Sequence, residues 1–171
     1  MWDKQFGAVG ALLLLACVPC WGKENAPTPP VKADRIVILK AARTLTLMKD
    51  GKVLKTYKVA LGTEPVGPKE QQGDHKTPEG EYFVDEKVPH SRFHLALHLS
   101  YPNVADRERA HRLGVNPGGD IEIHGLGKDF AWVGSLQRMV DWTDGCIAVT
   151  DEEIEEIYAQ VDVGTPVEIR P

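Results

Sequence analysis

Ile121-Glu122-Ile123-His124-Gly125 and Thr143-Asp144-Gly145-Cys146-Ile147-Ala148-Val149-Thr150, separated by residues 126–142, are the stretches on which the reading of this chain turns. Their short apolar runs predict strands over 120–124 and 147–149, with His124 at a strand end where Gly125 lets the chain leave the sheet. Cys146 sits at the mouth of the second strand. A thiol attacks carbonyls well as thiolate, and an imidazole close by can take its proton and later return it to a leaving amine. Gly125 and Gly145 permit tight backbone and, on this reading, leave room for a substrate carbonyl beside the sulfur. Cys146 and His124 are therefore the candidate catalytic pair, with the His124 imidazolium expected to stabilise the thiolate.

Working outward, the pattern is that of a β-rich domain. Arg35–Lys40 is apolar, Thr44–Lys49 alternates, Asp50-Gly51 is a hairpin turn signal, and Lys52–Leu61 returns as a second alternating strand. Strands are also expected over 81–88, 93–99 and 167–169. Thr150-Asp151-Glu152-Glu153 is a capping box, and Ile154, Ile157, Tyr158 and Val161 follow at helical spacing. A shorter charged helix is expected over 106–113, ending at Gly114, and 132–142 has helical character. Trp132 and Trp142 in that segment read as core packing or as a platform for a sugar or peptide. Tyr101-Pro102 and Asn116-Pro117-Gly118-Gly119 read as turns. His90, His94 and His98 have the spacing of a helical metal site, but Phe93–Ser100 alternates as a strand does. On a strand His94 and His98 stand roughly 13 Å apart, too far to share one ion. No metal or other cofactor is implied, and His98 or Ser100 is left free to face the cleft.

The 171 residues, 42% hydrophobic, suffice for one core. A net charge of −5 gives no basic excess suited to nucleic acid, and 16 glycines with 12 prolines at turn-like positions fit a loop-rich fold of short strands. Residues 1–22 read as an export signal, with Lys4 and the amino terminus ahead of an apolar run, Phe6–Val18, too short for an ordinary membrane span. Leu14-Leu15-Ala16-Cys17 is similar to a bacterial lipobox in which Cys17 is acylated; the alternative is soluble secretion after cleavage near Gly22. Residues 23–33 read as a proline-rich tether, and 34–171 as the folded domain. Of three cysteines, Cys17 and Cys20 fall in the signal, so Cys146 is the domain's sole thiol and no internal disulfide is possible.

Taken together, the Ile121–Gly125 and Thr143–Thr150 stretches resemble the signature of the L,D-transpeptidase (YkuD-type) catalytic domain. Upstream, Gly73-Asp74-His75-Lys76-Thr77-Pro78-Glu79-Gly80-Glu81-Tyr82 is similar to that family's Gly-Asp-x-x-Thr-Pro-x-Gly-x-Tyr segment. The resemblance covers 34–171 and implies an α/β, mostly β, mixed sandwich with a few flanking helices. It implies a cell-envelope or periplasmic enzyme in which Cys146 forms a thioester on a peptidoglycan stem peptide while His124 acts as base and then acid. A backbone carbonyl orients His124, Thr143, Asp144 and Gly145 shape the loop, and amides near Gly145 and Cys146 receive the oxyanion. An amine acceptor gives crosslinks or attached protein; a hydrolase cutting diaminopimelate-linked amides, including those to a wall-attached lipoprotein, is the alternative. A third reading is a silent wall-binding lipoprotein, held at the membrane by a lipid anchor on Cys17. Asp144 stands where the family's commonest box has histidine, and Ala148 where it has arginine. Another cation is then expected to meet a substrate carboxylate, with Arg92, Arg107, Arg109 and Arg112 as candidates and Trp132 as an aromatic one.

Overall fold

A computed structural model describes residues 1–2 and 29–171. The expected export signal, Cys17, and the first part of the tether lie outside the described residues. Ala33, expected as the last tether residue, is buried and donates its N–H to the Gln160 carbonyl, so the folded domain takes it in.

Eight strands form one mixed sheet. β1 (Arg35–Leu39), β2 (Thr44–Lys49) and β3 (Lys52–Lys58) make an antiparallel meander, followed by β4 (Gly80–Ser91) and β5 (His94–Leu99). After helix α1 (Val104–Leu113) come β6 (Glu122–His124), a 3-10 segment (Ala131–Met139), β7 (Ile147–Ala148), helix α2 (Asp151–Gln160) and β8 (Pro166–Arg170). The strand order is β3-β2-β1-β8-β4-β5-β6-β7, with β1–β8 and β6–β7 parallel and the rest antiparallel. β4 makes the corner: residues 80–83 pair with β8, while the half from Val84 onward pairs with β5 through two register shifts that bend it. The chain leaving β3 then bridges to β7 at Ala60↔Ala148 and to the loop ahead of it at Gly62↔Thr143, so the sheet curls until its ends meet. Ile36, Ile38, Leu45, Leu97, Ile123 and Ile147 fill the space between the layers. α2 closes it with Ile154 and Ile157 turned inward.

Local chemistry sets the element ends. Asp50 and Gly51 both take positive φ, as a two-residue type I′ turn requires, and β2 and β3 stop on either side of them. Thr150 caps α2 in a reciprocal box with Glu153. α1 begins two residues before the expected start, because Asn103 and Asp106 form a second capping box there, and it ends at Gly114 in the left-handed conformation. The 132–142 segment is tighter than an α-helix and is broken at Gly134, whose φ of 51° and ψ of −133° lie outside helical space.

Lys40, just beyond β1, is 2% exposed. Its ammonium donates to the Gly67 carbonyl at 2.6 Å, the Thr77 carbonyl at 2.9 Å and Glu79 Oε1 at 2.8 Å, pinning the 62–79 loop to the sheet. Burial pushes its pKa below the usual lysine range, against the pull of Glu79. Lys40→Met removes the charge while keeping the stem, and leaves Glu79 with its partner gone. The expected cost is about 3 kcal/mol in urea unfolding; a change within about 0.5 kcal/mol, the range of ordinary surface substitutions, would mean that the loop does not depend on this pin.

Candidate active site

The two motifs meet where β6 and β7 pair in parallel, Ile123 opposite Ile147 and His124 opposite Ala148. Side chains alternate along each strand, so Ile123 and Ile147 enter the core while His124 takes the other face. Cys146 lies two residues back from Ala148, hence on the His124 face and about 6.6 Å along the strand direction. Its Sγ lines a cavity of about 410 Å³ together with Lys69, His75, Gly119, Asp120 and Asp144. In this resting state the thiol donates to the Asp120 carbonyl, with Sγ 3.5 Å from the oxygen.

His124 is 1% exposed. Its ring stacks on Phe93 at 4.2 Å between centroids and meets the Trp142 edge at 5.9 Å. Nδ1 donates to the Gly125 carbonyl at 2.6 Å, so the backbone orients the ring and Nε2 carries the lone pair. Burial pushes the His124 pKa down to about 4, despite the Gly125 hydrogen bond that favours the charged form. Burial likewise pushes the Cys146 thiol up to about 11, against the smaller opposing pull of the Glu122 backbone N–H. Both groups are thus neutral at pH 7. Desolvation thus works against the thiolate–imidazolium pair expected from the sequence, and the charges of Arg92, Glu122 and Asp144 push the same way.

Thr143 is the brace of the nucleophile loop. Its hydroxyl donates to the Cys146 carbonyl at 2.8 Å and accepts the Gly145 N–H at 3.1 Å. The Gly145 amide is therefore already engaged, and the Cys146 N–H is the one left without an acceptor among the described residues. Gly145 has φ of 128°, and a Cβ there would stand 2.6 Å from the Lys76 carbonyl. Gly125 does not make room for substrate: a Cβ on it would come within 2.5 Å of Asp151 Oδ1 and 2.8 Å of the Phe93 carbonyl, so its space is filled by protein. Asp151, at the start of α2, accepts the Leu126 and Gly127 N–H groups at 2.7 and 3.1 Å and fixes the turn that carries the Gly125 carbonyl.

The candidate cations separate. Arg107 and Arg112 line a groove on the outer face of α1, apart from the Cys146 cavity. Arg109 braces the loop from behind, donating to the Lys69 carbonyl and Asp106, both at 3.2 Å. Arg92 lies over the Phe93 ring at 4.4 Å and so reaches the His124 stack from outside. Trp132 is 81% exposed, with its indole N–H on the Asp129 carbonyl, whereas Trp142 is the tryptophan beside His124. His94 and His98 lie on β5 and pair separately, with Glu155 at 2.8 Å and Asp85 at 2.6 Å; Ser100 accepts the Phe83 N–H. The cation within the cavity is Lys69, which sequence reasoning passed over. It donates to Asp74 Oδ1 at 2.7 Å and the Gln71 carbonyl at 3.2 Å. Burial raises the Asp74 pKa, but Lys69 and the N–H groups of Glu70, Gln71 and Lys76 outweigh it and hold it at about 2.

A curled mixed sheet with a histidine on β6 and a cysteine just ahead of the parallel β7, in a loop braced by Thr143, defines a class of mostly β domains built around a single thiol. The chain belongs to the L,D-transpeptidase catalytic domain family, whose model matches residues 33–169. YafK of Escherichia coli (strain K12), a protein assigned by name to the L,D-transpeptidases, is 31% identical over 173 residues, which cover 91% of this chain and 63% of YafK. Among solved structures, the helical cell shape determining protein Pgp2 of Campylobacter jejuni aligns with a TM-score of 0.63 and 27% identity, over 82% of this chain and 48% of that one. An L,D-transpeptidase from Mycobacterium smegmatis shares the fold, with a TM-score of 0.54 and 20% identity over 81% of this chain and 59% of its own. The chain thus spans less than two thirds of these relatives' lengths. Among the described residues no helix is long and apolar enough to cross a membrane.

Proposed function

We propose that the protein is a peptidoglycan L,D-transpeptidase working through a Cys146 thioester. The observation that carries this reading is a lone thiol lining an open cavity, with a buried imidazole on the adjoining strand. A stem-peptide carbonyl enters beside Sγ, the S–H proton passes to His124 Nε2 as the C–S bond forms, and the Cys146 N–H receives the oxyanion. Collapse of the tetrahedral intermediate breaks the amide, and the His124 imidazolium returns its proton to the departing amine. With alanine at 148, the cavity's own cation, Lys69, has a third N–H to offer a substrate carboxylate. Export of the protein and acylation of Cys17 would set this site facing the wall.

The deciding experiment is mass spectrometry of muropeptides incubated with purified protein, with and without an added amine. New crosslinks are the expected result. Lost crosslinks, or protein released from the wall, would instead establish the hydrolase of the same thioester chemistry. Unchanged muropeptides with no adduct on Cys146 would leave only the wall-binding reading.

A further inference from the structure

The 62–79 loop and the nucleophile loop meet at a side-chain pair with no part in the acylation step above. His75 Nδ1 lies 2.8 Å from Asp144 Oδ1, and both residues line the cavity that holds Cys146. The backbone here is closely packed. A Cβ on Gly62 would overlap the His75 carbonyl and stand 3.1 Å from the Gly145 Cα, so His75 is fixed in place against the nucleophile loop. His75 also holds φ of 55°, a conformation few residues other than glycine adopt and one that persists where the surroundings demand it.

Asp144 accepts hydrogen bonds and donates none when ionised, which puts the proton of a neutral His75 on Nδ1 and the lone pair on Nε2. Nε2 has no partner among the described residues. The His75 and Asp144 side chains are 48% and 91% exposed, so this imidazole stands at the solvent-open rim, whereas His124 is sealed behind Phe93. Two imidazoles thus stand in different settings: a dry one on β6 behind Phe93, and a wet one at the rim of the Cys146 cavity, where water or an amine must enter.

We propose that His75, oriented by Asp144, is the general base of the second half-reaction; the proposal rests on the thioester reading of Cys146. Nε2 takes the proton of the incoming amine or water as its lone pair forms a bond to the thioester carbon. The tetrahedral intermediate then collapses, the C–S bond breaks, and the Cys146 thiolate departs. The proton held by His75 passes through solvent to restore the thiol. Asp144 is the positioning residue, which gives a chemical role to the acid that replaces the family's commonest histidine.

His75→Asn separates this role from a mere clasp between loops. Asparagine tolerates the left-handed conformation and keeps an amide N–H for Asp144, but has no group at the Nε2 position. Intact-protein mass spectrometry during the first turnover, followed by steady-state assay on the same muropeptides, reads the two half-reactions apart. His75→Asn should form the Cys146 acyl-enzyme at the wild-type rate, accumulate it, and turn over about 10²-fold more slowly. Asp144→Ala should also accumulate acyl-enzyme, and Asp144→Asn, whose amide oxygen still accepts the Nδ1 proton, should recover most of the rate. Wild-type turnover in His75→Asn would overturn the proposal while leaving the thioester mechanism intact. Absence of any Cys146 adduct in the wild-type protein would overturn both.

Discussion

Cys146→Ala is expected to abolish muropeptide turnover, a loss of at least about 10⁴-fold, because no other group in the cavity can form the covalent intermediate. The thiol donates only weakly, to the Asp120 carbonyl, and the loop around it is held by Thr143 rather than by the thiol. Removing the sulfur should therefore change the unfolding free energy by less than about 1 kcal/mol. Cys146→Ser should be equally inactive, since burial that lifts a thiol to about 11 disfavours an alkoxide far more strongly. Turnover beside thermal melting checks both variants. Wild-type turnover in Cys146→Ala would end the covalent mechanism outright.

What could be read from the sequence was whatever depends on neighbours along the chain. Asp50-Gly51 dictates its own turn and so the ends of β2 and β3, and Thr150 with Glu153 caps α2 from within four residues. The strand ends carrying His124 and Cys146 were legible for the same reason, and the family resemblance joined them. The sequence pattern predicts a strand over 81–88, whereas β4 runs on to Ser91 past the register shift between Val88 and Ser91, and its shifts let one strand pair with both β8 and β5. The insertion of β8 between β1 and β4 leaves no local trace, since strand partners are chosen by the assembled core.

The site divides along the same line. Arginine candidates could be proposed by residue type, but which cation enters the cavity is decided by how the 62–79 loop folds back onto the sheet. Lys69 and Asp74 are five residues apart, within reach of a local reading, whereas His75 and Asp144 are 69 residues apart. Protonation divides in the same way. Residue types suggest an ion pair, but burial of both members holds each neutral, and burial is a property of the tertiary fold.

That neutrality gives His124→Asn its distinct expected outcome. The asparagine amide can still donate to the Gly125 carbonyl but offers no basic nitrogen in place of Nε2, so turnover should fall by about 10³-fold. Alkylation of Cys146 by iodoacetamide should nevertheless keep its pH profile, rising through the alkaline range towards about 11 in wild type and variant alike, since burial rather than His124 sets the thiol. A wild-type profile with a midpoint near neutrality, lost in the variant, would restore the resting ion pair. Stability supplies the independent check. The folded-state pKa of His124, about 4, lies below its ordinary value of 6.5, so the unfolded chain binds more protons between those pH values and unfolding becomes easier as pH falls through that window. The contribution is fully present above pH 6.5 and is lost by about pH 4, amounting to about 3 kcal/mol. Subtracting the His124→Asn urea curves from those of the wild type, pH by pH, isolates it from the carboxylates; parallel curves from pH 7 to pH 4 would show that the imidazole is not buried as a neutral base. Turnover should fall over the lower part of the same range, as protonation of His124 removes the lone pair that takes the thiol proton.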